Sequence, residues 1–130
     1  MNKKLLITGS ILGLISIIFG AFGAHGLKTL VSPENIQTFD IGVRYQMYHA
    51  LFLLLVGSTS LVTPKNKNLI FYFTVIGIVF FSGSIYGLAT NSLTSFDFTS
   101  IAFITPIGGL LLILAWLVLL INFLKTSFDK

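Results

Sequence analysis

A chain of 130 residues is long enough for one compact unit, and 55% apolar residues against 9% charged places it outside the range of ordinary soluble domains. Thirteen Phe and a mean hydropathy of +0.95 would force a soluble fold to expose large apolar patches, so the bilayer is the solvent this composition fits. The absence of Cys excludes disulfides, thiol nucleophiles, iron–sulfur clusters and thiolate zinc sites, and the net charge of +4 arises from basic residues no more clustered than pairs, which gives no nucleic-acid-binding stripe.

Lys3 and Lys4 precede an apolar run over residues 5–25, the first predicted span, which at ~1.5 Å per residue crosses ~30 Å of hydrocarbon. Ala21-Phe22-Gly23 also resembles a signal-peptidase site, but the run is long for a signal sequence and further spans follow. Gly9, Gly13, Ser16, Gly20 and Ala24 recur every three or four residues and form a ridge of small side chains, a surface suited to close packing, inside the bundle in preference to a dimer face. Gly26 is placed to end the helix, with Lys28 near its negative pole.

Ser32-Pro33-Glu34 reads as an N-cap, a Pro at the first helical position and an acid in the first turn. Ile36, Phe39, Val43 and Met47 then share one face opposite Glu34, Gln37, Asp40 and Arg44, which predicts an amphipathic helix in the plane of the interface. It leads into a second span over 45–62, either as one bent helix or as two separate ones, with Gly42 the expected place for a bend. The polar turn Thr63 to Asn68 separates this from a third span over 69–89. The fourth, over 100–124, has two possible starts: a helix from Phe98 kinked at Pro106, or a fresh helix capped by Thr105 with Pro106 at its first position.

The fold class is therefore all-α: a membrane protein of four transmembrane helices with an amphipathic interfacial helix between the first and second. Lys3, Lys4, Lys65, Lys67, Lys125 and Lys130 fall on one side and only Lys28 and Arg44 on the other, so both termini are expected in the cytoplasm and the protein in the plasma membrane.

The acids Glu34, Asp40, Asp97 and Asp129 all lie in loops, tails or the interfacial segment. Proton-coupled export of a cation, which needs an intramembrane acid, is disfavoured. The polar groups near or within the spans are His25, Arg44, Tyr45, His49, Ser82, Ser84, Tyr86 and Thr105, and the expected topology puts His49 about one turn inside the second span and all of them in one outer layer. Arg and Tyr there also serve as ordinary interfacial anchors, His25 as a helix-end residue, and serines bond their own helix. His49, inside a span, must find a partner or water. No i, i+4 His pair is present and zinc would want a third ligand such as Glu34 or Asp40, so no metal or haem cofactor is expected. No hydrolase, metalloprotease, P-loop or dinucleotide motif occurs, so the protein is not expected to be an enzyme.

The runs Gly20 to Lys28, Arg44 to Leu51, Phe81 to Tyr86 and Thr105 to Gly109 resemble domain-of-unknown-function family four-two-three, small bacterial membrane proteins with a related protein in animals. The resemblance covers nearly the whole chain and implies four spans in the inner or plasma membrane, and no activity. Phe39 departs from it, since related chains often carry Trp there. With Gln46 from the second run, the ligand-binding candidates are His25, Arg44, Tyr45, Gln46, His49, Ser82, Ser84, Tyr86 and Thr105. The expected function is non-enzymatic binding of a lipid, amphipathic molecule or partner protein in that outer layer. The alternatives are a transporter or channel built as a homo-oligomer, and a haem or quinone protein.

Overall fold

The structure, a computed structural model, describes residues 2–126; the expectations involving Asp129 and Lys130 lie outside the described residues. Four helices form: α1 Lys3–His25, α2 Pro33–Ser58, α3 Pro64–Ala89 and α4 Ile104–Lys125. Three of these stretches, Lys3–Thr29, Pro64–Ala89 and Ile104–Lys125, are long and apolar enough to cross a membrane. The remaining helix, α2, is as long as α3 at 26 residues but carries Glu34, Asp40 and Arg44 in its first half.

Each helix begins where its backbone donors find an acceptor. The Asn2 side chain accepts from the Lys4 and Leu5 amides, Ser32 from Asn35, and Thr63 from Asn66, with Pro33 and Pro64 each directly after the cap. The expected Ser32-Pro33 start is thus observed. Thr63-Pro64, expected as a turn, carries the same signature and starts α3 five residues before the predicted span. Helix α4 follows neither expected start: it opens at Ile104, and Thr105 does not cap it. Pro106 is its third residue, where the missing N–H would have had no partner in the helix anyway. Phe98–Ile101 is a separate 3-10 helix capped by Asp97. The Thr99 hydroxyl and then its amide, together with Asn91, hold the Asp97 carboxyl below its ordinary range.

The amphipathic segment is not a separate interfacial element. Residues 33–44 run without interruption through Gly42 into the rest of α2 and lie antiparallel along α1. A Cβ added at Gly23, Gly20 or Gly9 would meet Phe39, Val43 and the Ala50 carbonyl in turn. At Gly42, the expected place for a bend, α3 packs closely, an added Cβ falling 2.7 Å from the Tyr86 ring. The small-residue ridge of α1 therefore packs within its own chain, with Gly23 taking the inward place expected for Ala24, which is exposed.

Named bonds fix an up-and-down topology. Lys4 Nζ donates to Asn68 Oδ1 at 2.9 Å, the Asn2 amide to the Gly57 carbonyl at 2.9 Å, and the Thr63 amide to Asn122 Oδ1 at 3.2 Å. The starts of α1 and α3 and the ends of α2 and α4 therefore share one end of the bundle. Neighbours in sequence are neighbours in space, and α1 and α4 form no comparable interface with each other. The middle pair, α2 and α3, has ten buried residues in each helix, against four in α1 and five in α4.

One apolar cluster draws on all four helices around Leu5, Leu53, Ile70 and Ala115; a second, near the opposite end, packs Leu27, Phe39, Val43 and Ala89 against Phe19 and Tyr86. Lipid tails are as apolar as these side chains, so association inside a bilayer rests on close packing and interhelical hydrogen bonds more than on apolar burial.

Candidate functional site

The nine candidate residues fall into separate groups rather than one chamber. His25 is exposed at the end of α1, and Arg44, also exposed, pairs with Asp40 one turn earlier on α2. Gln46, 3% exposed, joins three helices: its Nε2 donates to the Leu12 carbonyl of α1 at 2.9 Å and its Oε1 accepts from the Tyr86 hydroxyl of α3 at 2.6 Å. The amide fits only this way round, since a carbonyl can only accept. Ser82 Oγ donates to the Gly42 carbonyl at 2.8 Å, a second tie from α3 to α2, while Ser84 and Thr105 join their hydroxyls across α3 and α4.

His49 lies farther from the start of its helix than expected. It stands sixteen residues after Pro33 and nine before Ser58, about 24 and 14 Å along the axis, because α2 starts twelve residues before the predicted span. It is 4% exposed, with Nδ1 2.7 Å from the Tyr45 carbonyl and Nε2 3.1 Å from the Trp116 indole nitrogen. The carbonyl can only accept and the indole can only donate, so a neutral ring with its proton on Nδ1 satisfies both. Both nitrogens are thereby engaged, and axial ligation of a haem would have to break the Trp116 bond. Ser84–Thr105 and His49–Trp116 are eleven residues apart on α4, about 17 Å, so the expected single layer is two levels. Among the described residues, no three His, Cys, Asp or Glu side chains gather as a metal site.

Beside His49 a groove of about 600 Å³ opens between α2, α3 and α4. Its walls include Phe81, Pro106, Gly109, Leu112 and Trp116, and of the nine candidates only Tyr45 and His49 line it. Tyr45 stacks at a tilt on Phe81, ring centres 5.2 Å apart, and among the described residues its hydroxyl makes no hydrogen bond. The groove is apolar with one unspent polar group, suited to a largely hydrocarbon guest.

Sequence reading passed over several polar residues that hold the opposite end together. Asn122, 3% exposed, accepts from the Thr63 amide and from Asn66 and donates to the Leu61 carbonyl. Lys67, 5% exposed, donates from Nζ to the Gly57 carbonyl at the negative end of α2. Asn122 had a usable signal, a lone amide in an apolar run. Trp116 had none, since an indole in such a run reads as hydrocarbon.

Long apolar helices, glycine contacts and inward-facing polar ties define a small integral membrane protein of helical type. The chain belongs to the family described as Protein of unknown function (DUF423), whose defining pattern matches residues 19–109. It is 41% identical to the UPF0382 membrane protein SH2409 of Staphylococcus haemolyticus, over 95% of this chain and 97% of that one. It is 34% identical to the UPF0382 membrane protein YwdK of Bacillus subtilis, over 95% and 98% of the two chains, and 34% identical to a UPF0382 membrane protein of Haemophilus influenzae, over 98% of each. The resemblance expected from the four motifs is thus established. No solved structure matches the chain.

Proposed function

We propose that this is a non-enzymatic protein of the plasma membrane that crosses the bilayer four times, keeps both termini in the cytoplasm, and holds an amphipathic, lipid-like molecule in the groove between α2, α3 and α4. The fourth crossing is α2. Its buried polar groups are matched by partners on α1, α3 and α4, which removes most of the penalty of placing Gln46 and His49 in hydrocarbon. Its charged first half lies toward the end of the bundle where α1 ends and α4 begins. The observation that carries the binding reading is the groove itself: apolar walls, an imidazole already paired on both sides, and the free Tyr45 hydroxyl to meet one polar group of the guest.

The test is native mass spectrometry of protein extracted in mild detergent, with the bulk lipid extract as reference. The wild type retains one amphipathic species above its bulk proportion. A Cβ at Gly109 would meet nothing closer than the Phe81 ring at 3.6 Å, so Gly109→Leu is accommodated by the backbone, sends its side chain into the groove and displaces the guest without lowering the melting temperature. Retention of nothing but bulk lipid, or equal retention by Gly109→Leu, would remove the reading.

A further inference from the structure

On the other flank of α2, the seam with α1 carries two hollows, of about 440 and 380 Å³, that share Gly20, Val43 and Arg44 and so form one continuous track. The upper part is lined by Gln37 and the Asp40–Arg44 pair, the lower by Ile17, Met47 and Tyr48. Polar lining thus lies toward the end of the bundle and apolar lining toward its middle. Gly20 is five residues, about 8 Å, below the end of α1, which sets Arg44 beside it at headgroup depth if α1 spans the membrane.

The ion pair is half used. Arg44 directs both Nε, at 2.9 Å, and one terminal nitrogen, at 2.7 Å, to the same oxygen, Asp40 Oδ2. Within the described residues Asp40 Oδ1 and Arg44 Nη1 have no partner, and the two side chains are 47% and 61% exposed. A neighbouring free carboxylate oxygen and free guanidinium N–H are complementary to a group that carries a cationic donor next to an anionic acceptor. From this geometry we propose that the α1–α2 seam is a binding site for a phospholipid whose headgroup bears a primary ammonium, as in phosphatidylethanolamine: phosphate on Arg44, ammonium on Asp40 Oδ1, one acyl chain along the track past Gly20 to Met47. Phosphatidylcholine has no N–H to give to Asp40, and phosphatidylglycerol brings no cation to it.

The site shares with the proposed function the reading that α1 and α2 lie in the bilayer, but it uses a different face of α2, so the two are tested apart. Purified protein is equilibrated with equal amounts of phosphatidylethanolamine, phosphatidylcholine and phosphatidylglycerol of matched chains, and the lipids retained are counted by native mass spectrometry. The wild type retains phosphatidylethanolamine about tenfold over phosphatidylcholine, the ratio one charge-assisted hydrogen bond supports. Asp40→Asn erases that preference while still retaining phospholipid, and Arg44→Gln reduces retention of all three. Gly109→Leu leaves the preference intact even where it empties the other groove. Equal retention of phosphatidylethanolamine and phosphatidylcholine by the wild type, a preference for phosphatidylglycerol, or a preference that survives Asp40→Asn would each overturn the proposal. Should Arg44→Gln fail to fold, the Asp40→Asn comparison decides alone.

Discussion

His49 shows how a buried polar side chain finds its partners inside the bundle. Its ring bonds its own helix on one side and α4 on the other, and Phe52 and Trp116 stack beside it with ring centres 4.1 Å apart. Interhelical bonds of this kind are worth about 0.6 kcal/mol on average inside membranes, and leaving a buried partner unpaired costs more than the bond is worth. Trp116→Phe strands the Nε2 lone pair, and His49→Leu strands the indole N–H; each should lower stability by about 1 kcal/mol. The double variant His49→Leu/Trp116→Phe should lose less than the sum, because no orphan remains. Thermal unfolding in detergent, followed by circular dichroism since Trp116 is the only Trp, checks this. Additive losses would mean that the 3.1 Å contact contributes nothing.

At the scale of elements, glycine decides how close two helices come. A Cβ at Gly108 would fall 2.4 Å from the Phe81 amide nitrogen and 2.8 Å from the Gly77 carbonyl, and backbone cannot rotate aside as a side chain can. Gly108→Ala should therefore push α3 and α4 apart and cost about 1–3 kcal/mol. Gly83, with nothing within 4 Å of an added Cβ, is the matched control: Gly83→Ala should be neutral or stabilising by up to about 1 kcal/mol, and equal losses at both sites would refute the packing argument. The glycine ridge of α1 and the Ser32-Pro33 start were legible because helical spacing and capping are local properties. The helix starts at Pro64 and Ile104 were not, since a Pro after Thr reads equally as a turn, and the polar first turn of α3 is held by Asn122 and Gly57 from elsewhere in the chain. For the same reason His49 stood out as a polar residue needing a partner and Gln46 entered only through its motif, while the groups they bond, an indole and the Leu12 carbonyl, carried no mark.

For the molecule as a whole, the arrangement places its least apolar helix between two others. Helix α2 is flanked by α1 and α3 along its length, and the flanking helices α1 and α4 turn Ile11, Leu14, Ile113 and Leu120 outward, each at least half exposed. The proposed four crossings with cytoplasmic termini rest on this shelter and on the basic residues: Lys3, Lys4, Lys65, Lys67 and Lys125 lie at one end of the bundle and Lys28 and Arg44 toward the other. The chain has no Cys, so single cysteines report cleanly. Thr29, Ser60 and Ser95 are exposed and stand before α2, between α2 and α3, and between α3 and α4. In intact cells a membrane-impermeant maleimide should label Thr29→Cys and Ser95→Cys, and Ser60→Cys only after permeabilisation. The reverse pattern would invert the orientation. Labelling of Thr29→Cys and Ser60→Cys from the same side would mean that α2 does not cross, and both lipid sites argued along its two flanks would lose the bilayer depth they require.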